Sequence, residues 1–235
     1  MSMCRPPVFL IAIVTILTCR PALAADPIRI VDNGTPLATI VVPDSCDAQT
    51  KAAADMLAQY VKESSGAGLP VVAEDDSQTA RQPITIHVGL DAYAKGLNLK
   101  LDKLDDDGFV IRGLDEHHLV IAGPTPHGTE FGVCEFLERY LGVRWLMPGP
   151  AGTDVPEHKT IEVPPENVRQ EPVFLSRLFS GLSGAHSTWA QRNRMHGRVQ
   201  FHHNLQRLIA PEKYAETHPE FFPIQIGRAS CRERV

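Results

Sequence analysis

Short β-branched runs alternate with two helical patterns between residues 28 and 163. The runs at residues 28–31 and 39–42 are separated by Asn33-Gly34, a dipeptide typical of a two-residue turn, which predicts that the two runs form a hairpin. Strands interleaved with helices bury their apolar surfaces when the helices cover the sheet. The pattern therefore predicts an α+β fold, a small mixed sheet with helices on one face.

Two amphipathic segments give the predicted helices. The first begins near Asp47, with Asp44 and Ser45 able to cap it, and ends at Gly66. The second covers about residues 129–140 and is ended by Gly142. Further strands are predicted at residues 69–73, 84–88, 108–112, 119–122, 143–146 and 160–163. The strands at residues 108–112 and 119–122 are predicted to form a second hairpin.

The second predicted helix carries three glutamates, Glu130, Glu135 and Glu138. Their spacing places them largely away from the apolar stripe of that helix, so we expect a solvated face rather than catalytic acids. An acidic loop at residues 105–107 precedes Gly108. It lacks the six to eight convergent oxygen ligands that calcium requires, and no metal site is predicted.

The N-terminus has the features of a secretory signal peptide. Arg5 precedes an apolar run at residues 8–17, and Ala22-Leu23-Ala24 supplies the small residues that signal peptidase requires. The run is shorter than the roughly 20 residues that cross a bilayer as a helix. A lipoprotein attached through Cys19 fits less well, because Thr18 precedes that cysteine. We expect residues 1–24 to be removed and the protein to be secreted or periplasmic.

The C-terminus has a different character. Residues 226–235 read IGRASCRERV, with three arginines and no apolar periodicity, and they resemble the translation of a common sequencing-library adapter. A short basic tail is the alternative. The resemblance predicts that the natural sequence departs from this one at about residue 225, so the last ten residues are an artefactual tail excluded from fold reasoning.

Charge and cysteine content limit the possible functions. The formal net charge is −5, and it becomes more negative once the arginine-rich ends are set aside. An acidic chain without a basic patch argues against nucleic acid and against anionic membrane surfaces as partners. Only Cys46 and Cys134 lie between the two ends, so the sequence predicts two buried thiols, with a single bridge as the alternative.

Two stretches carry a family resemblance: AAADMLAQYVKESSGAGLPV and DGFVIRGLDEHHLVIAGPTPHGTEFGVCEFLERYLGVRWLMPG. They resemble the N-terminal domain that precedes the catalytic barrel in family 67 alpha-glucuronidases and family 20 beta-hexosaminidases. The chain looks most like the alpha-glucuronidase-type version joined to a poorly characterised barrel in secreted proteins of polysaccharide-degrading bacteria. The resemblance covers residues 28–225 and is most specific over residues 107–148.

The resemblance implies a division into a supporting domain and a barrel. Residues 25–165 would form the α+β domain, which carries no catalytic carboxylate in those relatives. Residues 172–225 would be the first units of a (β/α)8 TIM barrel, truncated before the strands that carry the catalytic acids. The paired carboxylates of a glycosidase would therefore lie downstream of this chain.

The first expected barrel strand gives the leading site residue. Residues 171–177, EPVFLSR, resemble the P-x-F-x-x-R element in which the arginine reaches the hydroxyls of the substrate sugar, which implies that role for Arg177. A guanidinium fork suits the role because it offers several fixed donors. The alternative is a salt bridge at the rim of the barrel.

A second candidate pair follows a possible second barrel strand at residues 199–201. His203 and Asn204 could hydrogen-bond a sugar or a carboxylate, or they could cap a polar strand end. Adjacent His202 and His203 would point to opposite faces of a strand, and no third ligand is spaced to complete a zinc site. Trp145 and Trp189 could stack on sugar rings or fill an interface between domains.

The sequence thus predicts the non-catalytic N-terminal domain of a secreted glycoside hydrolase that acts on polysaccharide, with this fragment inactive alone. No cofactor is expected, and the expected partner is a polysaccharide or oligosaccharide bound by the missing barrel. The alternative is a carbohydrate-binding or structural scaffold module without hydrolase activity.

Overall fold

The Asn33-Gly34 turn connects a hairpin whose second arm is shorter than the sequence predicted. This computed structural model describes residues 26–76, 82–179, 183–199 and 205–222. Asn33 and Gly34 both have left-handed backbone angles, with φ of 48° and 78°, as the favoured hairpin turn requires. Strand β1 (Ile28–Asp32) pairs with β2 (Thr35–Pro36). The run at residues 39–42 is not the second arm, because it enters a different sheet.

That second sheet has six strands and is mixed, as the sequence predicted. Its strands are β3 (Ala38–Val42), β4 (Val71–Ala73), β5 (Ile84–Val88), β6 (Phe109–Gly113), β7 (His118–Ala122) and β11 (Asn167–Gln170). They are arranged in the order β11-β6-β7-β5-β3-β4, in which the pairs among β4, β3, β5 and β7 are parallel and the other two pairs are antiparallel. The β6–β7 pair is the second predicted hairpin and is confirmed.

Smaller elements complete the domain. Strand β10 (Ile161–Val163) pairs with β1, and β8 (Arg144–Trp145) pairs with β9 (Thr153–Asp154). Strand β11 was not predicted, and it extends the sheet beyond residue 165, where the sequence analysis ended the α+β domain. Its sequence, NVRQ, has one apolar residue, so the pairing with β6 rather than hydrophobicity makes it a strand.

Both predicted helices form and lie on the same face of the sheet. Helix α1 (Ala48–Ser65) is capped by Asp47 rather than by Asp44 or Ser45, and Gly66 ends it with φ of 85°. Helix α3 (Pro126–Tyr140) begins one turn earlier than predicted, because Thr125 caps it and Pro126 fits its first position. The two helices pack on each other and on the sheet around fully buried side chains such as Phe136.

The opposite face of the sheet is also covered. Helix α2 (Ala92–Gly96) and a 3₁₀ turn at Leu101–Lys103 place small and leucine side chains on it. This second cluster is built around five buried residues: Ala94, Leu99, Val110, Val120 and Ala122. The segment has no long helical period, so its covering role was invisible in the sequence.

Residues after 171 depart from the prediction. The expected strand over residues 172–177 is not formed: the chain bends at residues 173–175 and makes one antiparallel bridge, between Arg177 and His196. A strand needs a neighbour for its backbone groups, and parallel barrel partners are not found among the described residues. Helix α4 (Ala185–Arg192) lies between these two bridge residues in the chain.

Three short helical turns follow α4 among the described residues: α5 (Leu205–Leu208), α6 (Pro211–Tyr214) and a 3₁₀ turn at Pro219–Phe221. The start of a TIM barrel therefore stays a prediction. None of the helices in the described ranges is both long and apolar enough to cross a membrane. The predicted signal peptide and the adapter-like tail lie outside the described residues.

Candidate functional site

The α+β domain contacts the part of the chain that comes after it through an acidic face. This acidic face consists of Asp105, Asp106 and Asp107 in the turn before β6, and of Glu130, Glu135 and Glu138 on α3. It receives side chains from the docked segment, which we define as residues 172–179 and 183–199. The expectation of a solvated glutamate face is wrong, because those three carboxylates accept hydrogen bonds from the docked segment.

Asp107 is the buried centre of this contact. Its side chain is 1% exposed and accepts hydrogen bonds from Arg177 Nη2 and His196 Nδ1, both at 2.8 Å. Burial by itself raises the pKa of Asp107, but the bonds from His196 and Arg177 outweigh it, so the pKa lies below its ordinary value of 3.8. Asp107 is therefore a carboxylate at neutral pH.

The acidic turn is fixed against the start of α3 by a close backbone approach. A Cβ atom on Gly128 would overlap the carbonyl oxygen of Gly108, so only glycine allows this contact. Thr125 Oγ1, at the helix cap, donates to the carbonyl oxygen of Asp106 at 2.6 Å. The turn thus presents its carboxylates from a rigid position rather than from a loose loop.

Around Asp107, the acidic side chains lie in the α+β domain and the basic side chains lie in the docked segment. Arg198 donates to Asp105 at 2.5 Å and to Asp106 at 3.0 Å, and Arg194 donates to Glu135 at 2.7 Å and also to Glu138. In each ion pair described between the two regions, the acid belongs to the domain and the base to the docked segment. The two surfaces are electrostatically complementary.

A pair of stacked imidazoles lies beside the buried carboxylate. The rings of His127 and His196 are 3.9 Å apart between centroids and within 7° of parallel. Burial lowers the pKa of His127, and the neighbouring His196 lowers it further. The neutral form of the His127 imidazole is therefore favoured at this position.

Arg177, the predicted sugar contact, is part of this arrangement. Its Nε donates to the carbonyl oxygen of Arg194 at 2.8 Å, and Nη1 donates to that of Phe174 at 3.0 Å. With the Asp107 bond, three of its five N–H groups are used. The alternative interpretation, a salt bridge, is present, but its partner lies in the α+β domain. A sugar-contacting role stays a prediction, and His203 and Asn204 lie outside the described residues.

A second feature is a cleft of about 400 Å³ between α1, the residues after β8, and α4. Trp145 is buried and its Nε1 donates to the Tyr60 hydroxyl at 3.0 Å, while Trp189 Nε1 donates to the carbonyl oxygen of Trp145 at 2.9 Å. The two tryptophans therefore join the α+β domain to α4 of the docked segment. Both nonetheless line the cleft, together with Arg192.

A third cluster was missed by the sequence analysis. His87 Nδ1 lies 2.5 Å from Asp91 Oδ2, its Nε2 lies 3.2 Å from His118 Nδ1, and Tyr93 stacks on both imidazoles. Burial is the main cause that lowers the pKa of His118. A histidine within the apolar strand ITIHV, four residues before an aspartate, was the available signal. This cluster does not line the cleft between α1 and α4.

The described residues contain no group of three or more His, Cys, Asp or Glu side chains placed to hold a metal ion. Cys46 and Cys134 are free thiols, so the alternative of a bridge between them is wrong. Cys134 is fully buried, as expected, and burial raises the pKa of its thiol, whereas Cys46 is only partly buried.

Comparisons with known proteins give structural likeness only. No protein-family model and no curated protein sequence matches the chain. Among solved structures, it is similar to a GH20 beta-N-acetylhexosaminidase from Streptomyces coelicolor (18% identity, 65% of this chain and 25% of that one, TM-score 0.42). It is also similar to a GH115 4-O-methyl-alpha-glucuronidase with specificity for decorated arabinogalactans (18% identity, 63% of this chain and 19% of that one, TM-score 0.46). A third similar structure is an N-acetyl-beta-hexosaminidase from Streptomyces plicatus (16% identity, 65% of this chain and 25% of that one, TM-score 0.41).

These solved structures are glycoside hydrolases, and the chain spans no more than a quarter of the length of each. The activities of the whole enzymes are therefore not transferred to this chain by the likeness.

Proposed function

We propose that this chain supplies the non-catalytic N-terminal domain of a secreted glycoside hydrolase that acts on polysaccharide. The observation that carries the proposal is that the acidic face is occupied by contacts within the chain. All six of its carboxylates accept hydrogen bonds or form ion pairs, chiefly with the docked segment. Carboxylates used in this way hold two parts of a protein together and are not free to act on a glycosidic bond.

The requirements of glycoside hydrolysis support the same proposal. The reaction uses two carboxyl groups, about 5–5.5 Å or 6.5–9.5 Å apart, on either side of a sugar ring. The cleft of about 400 Å³ has one carboxylate in its lining, Glu63. The catalytic pair would then come from a part of the parent protein beyond this chain.

The sequence resemblance supports the proposal that the parent protein is a glycoside hydrolase. Its most specific segment, residues 107–148, folds into β6, β7, α3 and β8, and so forms both the centre of the sheet and the helix that carries the acidic face. The supporting domain of alpha-glucuronidase-type and hexosaminidase-type enzymes is the role that this resemblance implies. Residues 172–225 would then be the beginning of the barrel that the domain supports.

A hydrolysis assay of the full chain tests the proposal. We expect no release of 4-nitrophenol from 4-nitrophenyl N-acetyl-β-glucosaminide or α-glucuronide. Turnover that survives purification and is lost in a Glu63→Gln variant would overturn it. Sequencing the natural gene across codon 225 tests the proposed artefactual tail: we expect divergence there, followed by a barrel with two acids at strand ends.

Secretion is a further part of the proposal. Residues 1–24 would direct export and be removed, which places the mature protein outside the cytoplasm. Fusing residues 1–30 to mature alkaline phosphatase, active only after export, should give activity, and replacing Leu10 and Ile13 with arginine should abolish it. Equal activity with and without residues 1–24 would contradict the proposal.

Arg177, His203 and Asn204 remain our proposed sugar contacts from the barrel side. Two N–H groups of Arg177 are left over after its three contacts in this chain, and they could reach hydroxyls of a bound sugar. In the natural full-length protein, Arg177→Lys should raise KM for substrate, because lysine cannot hold Asp107 and a sugar with one fork.

The second candidate function is a carbohydrate-binding or scaffold module without hydrolase activity. The cleft lined by Tyr60, Trp145 and Trp189 favours it, because aromatic side chains commonly form the walls of sugar sites. Retention of the full chain on glucuronoxylan or chitin, with a natural gene that lacks paired acids downstream, would select this function over the first.

A further inference from the structure

Arg192 has an unusual position for a charged side chain. It is half-buried at the end of α4, and its guanidinium carbon lies 5.6 Å from the centroid of the Tyr60 ring and 5.9 Å from that of Trp145. These distances allow cation–π attraction, which holds the guanidinium without an anion. Among the described residues, Arg192 has neither an ion pair nor a hydrogen-bond acceptor for its side chain.

The neighbouring arginines show how different this is. Arg194 and Arg198, in the same segment, each contact two carboxylates of the acidic face, and Arg177 contacts a buried one. Arg192 instead lines the cleft of about 400 Å³, so its N–H groups are available to a ligand there. An arginine held by its flat face keeps its edge free for bidentate bonds to a carboxylate.

The rest of the lining has the composition of a sugar site. Trp189 is fixed in place by its Nε1 bond to the carbonyl oxygen of Trp145 and by an edge contact with Phe179 at 5.7 Å. Gln59 and Glu63 on the exposed side of α1 add hydrogen-bonding groups suited to hydroxyls. The volume is sufficient for one or two sugar residues, since ligand sites of about 300–1,000 Å³ are usual.

We propose that this cleft binds a carboxylate-bearing sugar, with the Arg192 guanidinium on its carboxylate and Trp189 against its ring. The inference deepens the proposed function, on which it rests for the carbohydrate nature of the ligand. The site would let the supporting domain hold acidic side groups of a polysaccharide away from the catalytic centre of the parent enzyme. Glu63 would accept hydrogen bonds from ring hydroxyls rather than approach the carboxylate.

Titration calorimetry of the full chain with methyl glucuronide and methyl glucoside tests the inference. The two probes differ only at C6, which is a carboxylate in the glucuronide and a hydroxymethyl group in the glucoside. We therefore expect glucuronide to bind about tenfold or more tightly, the effect of one charged hydrogen-bonded contact. Arg192→Met should remove this preference while keeping an apolar stem over the rings. Arg112→Met is the matched control, because Arg112 is also half-buried but lies outside the cleft, and it should leave binding unchanged.

Two further variants keep the test decisive if Arg192→Met unfolds. Arg192→Lys retains the charge but loses the fork, so binding should weaken by several-fold with an unchanged circular dichroism spectrum. Glu63→Gln removes a negative charge from the lining and should strengthen glucuronide binding by roughly twofold. Equal affinity for the two sugars, no binding of glucuronide by the folded chain, or unchanged binding in Arg192→Lys would overturn the inference. None of these results would affect the proposed function, which the hydrolysis assay measures separately.

Discussion

The α+β domain and the docked segment are held together by different forces. The domain buries a continuous apolar core in which Phe131, Phe136 and Leu137 are 0–1% exposed. The docked segment buries one apolar residue, Ala190, and leaves Val173 and Phe174 largely exposed. Its attachment depends on ion pairs and hydrogen bonds to the acidic face instead.

This contrast has physical consequences. Burial of apolar surface responds little to pH or to moderate salt, whereas a contact between carboxylates and bases responds to both. The domain should therefore unfold as one cooperative unit, and the docked segment should detach first under conditions that weaken charge attraction. The exposed apolar residues of the segment form a surface that the expected barrel would cover.

The largest effect should come from removing a core side chain. Phe136→Ala, in the fully buried centre of α3, should lower the free energy of unfolding by about 3–5 kcal/mol, because it removes apolar contacts and leaves a cavity. Phe174→Ala, on the 72% exposed side chain of the docked segment, should change it by no more than about 0.5 kcal/mol. Urea denaturation followed by circular dichroism measures both, and equal effects would show that the segment belongs to the core.

The next effect concerns the buried carboxylate. Asp107→Asn leaves Arg177 and His196 without their charged partner, and we expect a cost of about 2 kcal/mol in the attachment of the segment. This is less than the ~3–5 kcal/mol of a fully buried pair, because water reaches the 19% exposed Arg177 side chain. Cleavage by thermolysin next to Phe174 and Leu175 should accelerate, while α3 stays protected.

Asp154→Asn, on an exposed aspartate of β9, is the control and should leave the cleavage rate unchanged. Because the pKa of Asp107 is lowered, its stabilising contribution is complete above its ordinary value of 3.8 and is lost as the pH falls below that value. An Asp107→Asn segment as resistant to cleavage as the parent would show that the ion pair does not hold it.

The sequence predicted those parts of the fold that depend on local pattern. The two helices and the β6–β7 hairpin follow from apolar periodicity and turn residues, which act over a few neighbouring positions. The first hairpin was only half right, since its second arm is Thr35–Pro36 and the stronger run at residues 39–42 pairs in parallel with β5 instead. Parallel pairing joins strands distant in sequence, and no local signal specifies it.

The candidate site was harder to predict for the same reason. Arg177 was singled out from a family resemblance, but its partner Asp107 is 70 residues earlier in the chain. The glutamates of α3 look solvated when that helix is considered alone, because the bases that meet them come from another segment. Charge complementarity between distant segments can be recognised only once the fold has placed them together.

A smaller effect is expected from the stacked imidazoles. The lowered pKa of His127 means that its contribution is present above the ordinary value of 6.5 and is lost as the pH falls through its pKa in the folded protein. His127→Phe keeps an aromatic ring on His196 but cannot titrate. The parent's cleavage rate near Phe174 should rise between pH 7 and pH 5 by less than about tenfold, and the variant should lack this rise. The other titratable groups that act on His127 are His196, Asp47, Asp107 and Glu130, and they are unchanged in the variant. A rise of the same size in both proteins would assign it to one of them.

The smallest effect should come from an ion pair on the domain itself. Arg29 and Glu162 join β1 to β10 at 2.7 Å, but their side chains are 50% and 40% exposed. Water and salt screen such a pair, so Glu162→Gln should cost at most about 0.5 kcal/mol in urea denaturation. The Arg198 side chain is 19% exposed and contacts two carboxylates. Arg198→Gln should therefore accelerate cleavage of the docked segment clearly, whereas Glu162→Gln should lower domain stability only slightly.

If adding 0.5 M salt to the parent releases the segment without unfolding the domain, then charge attraction holds the segment and apolar burial holds the domain. If salt changes neither, the exposed apolar residues of the segment contribute more to its attachment than their exposure indicates.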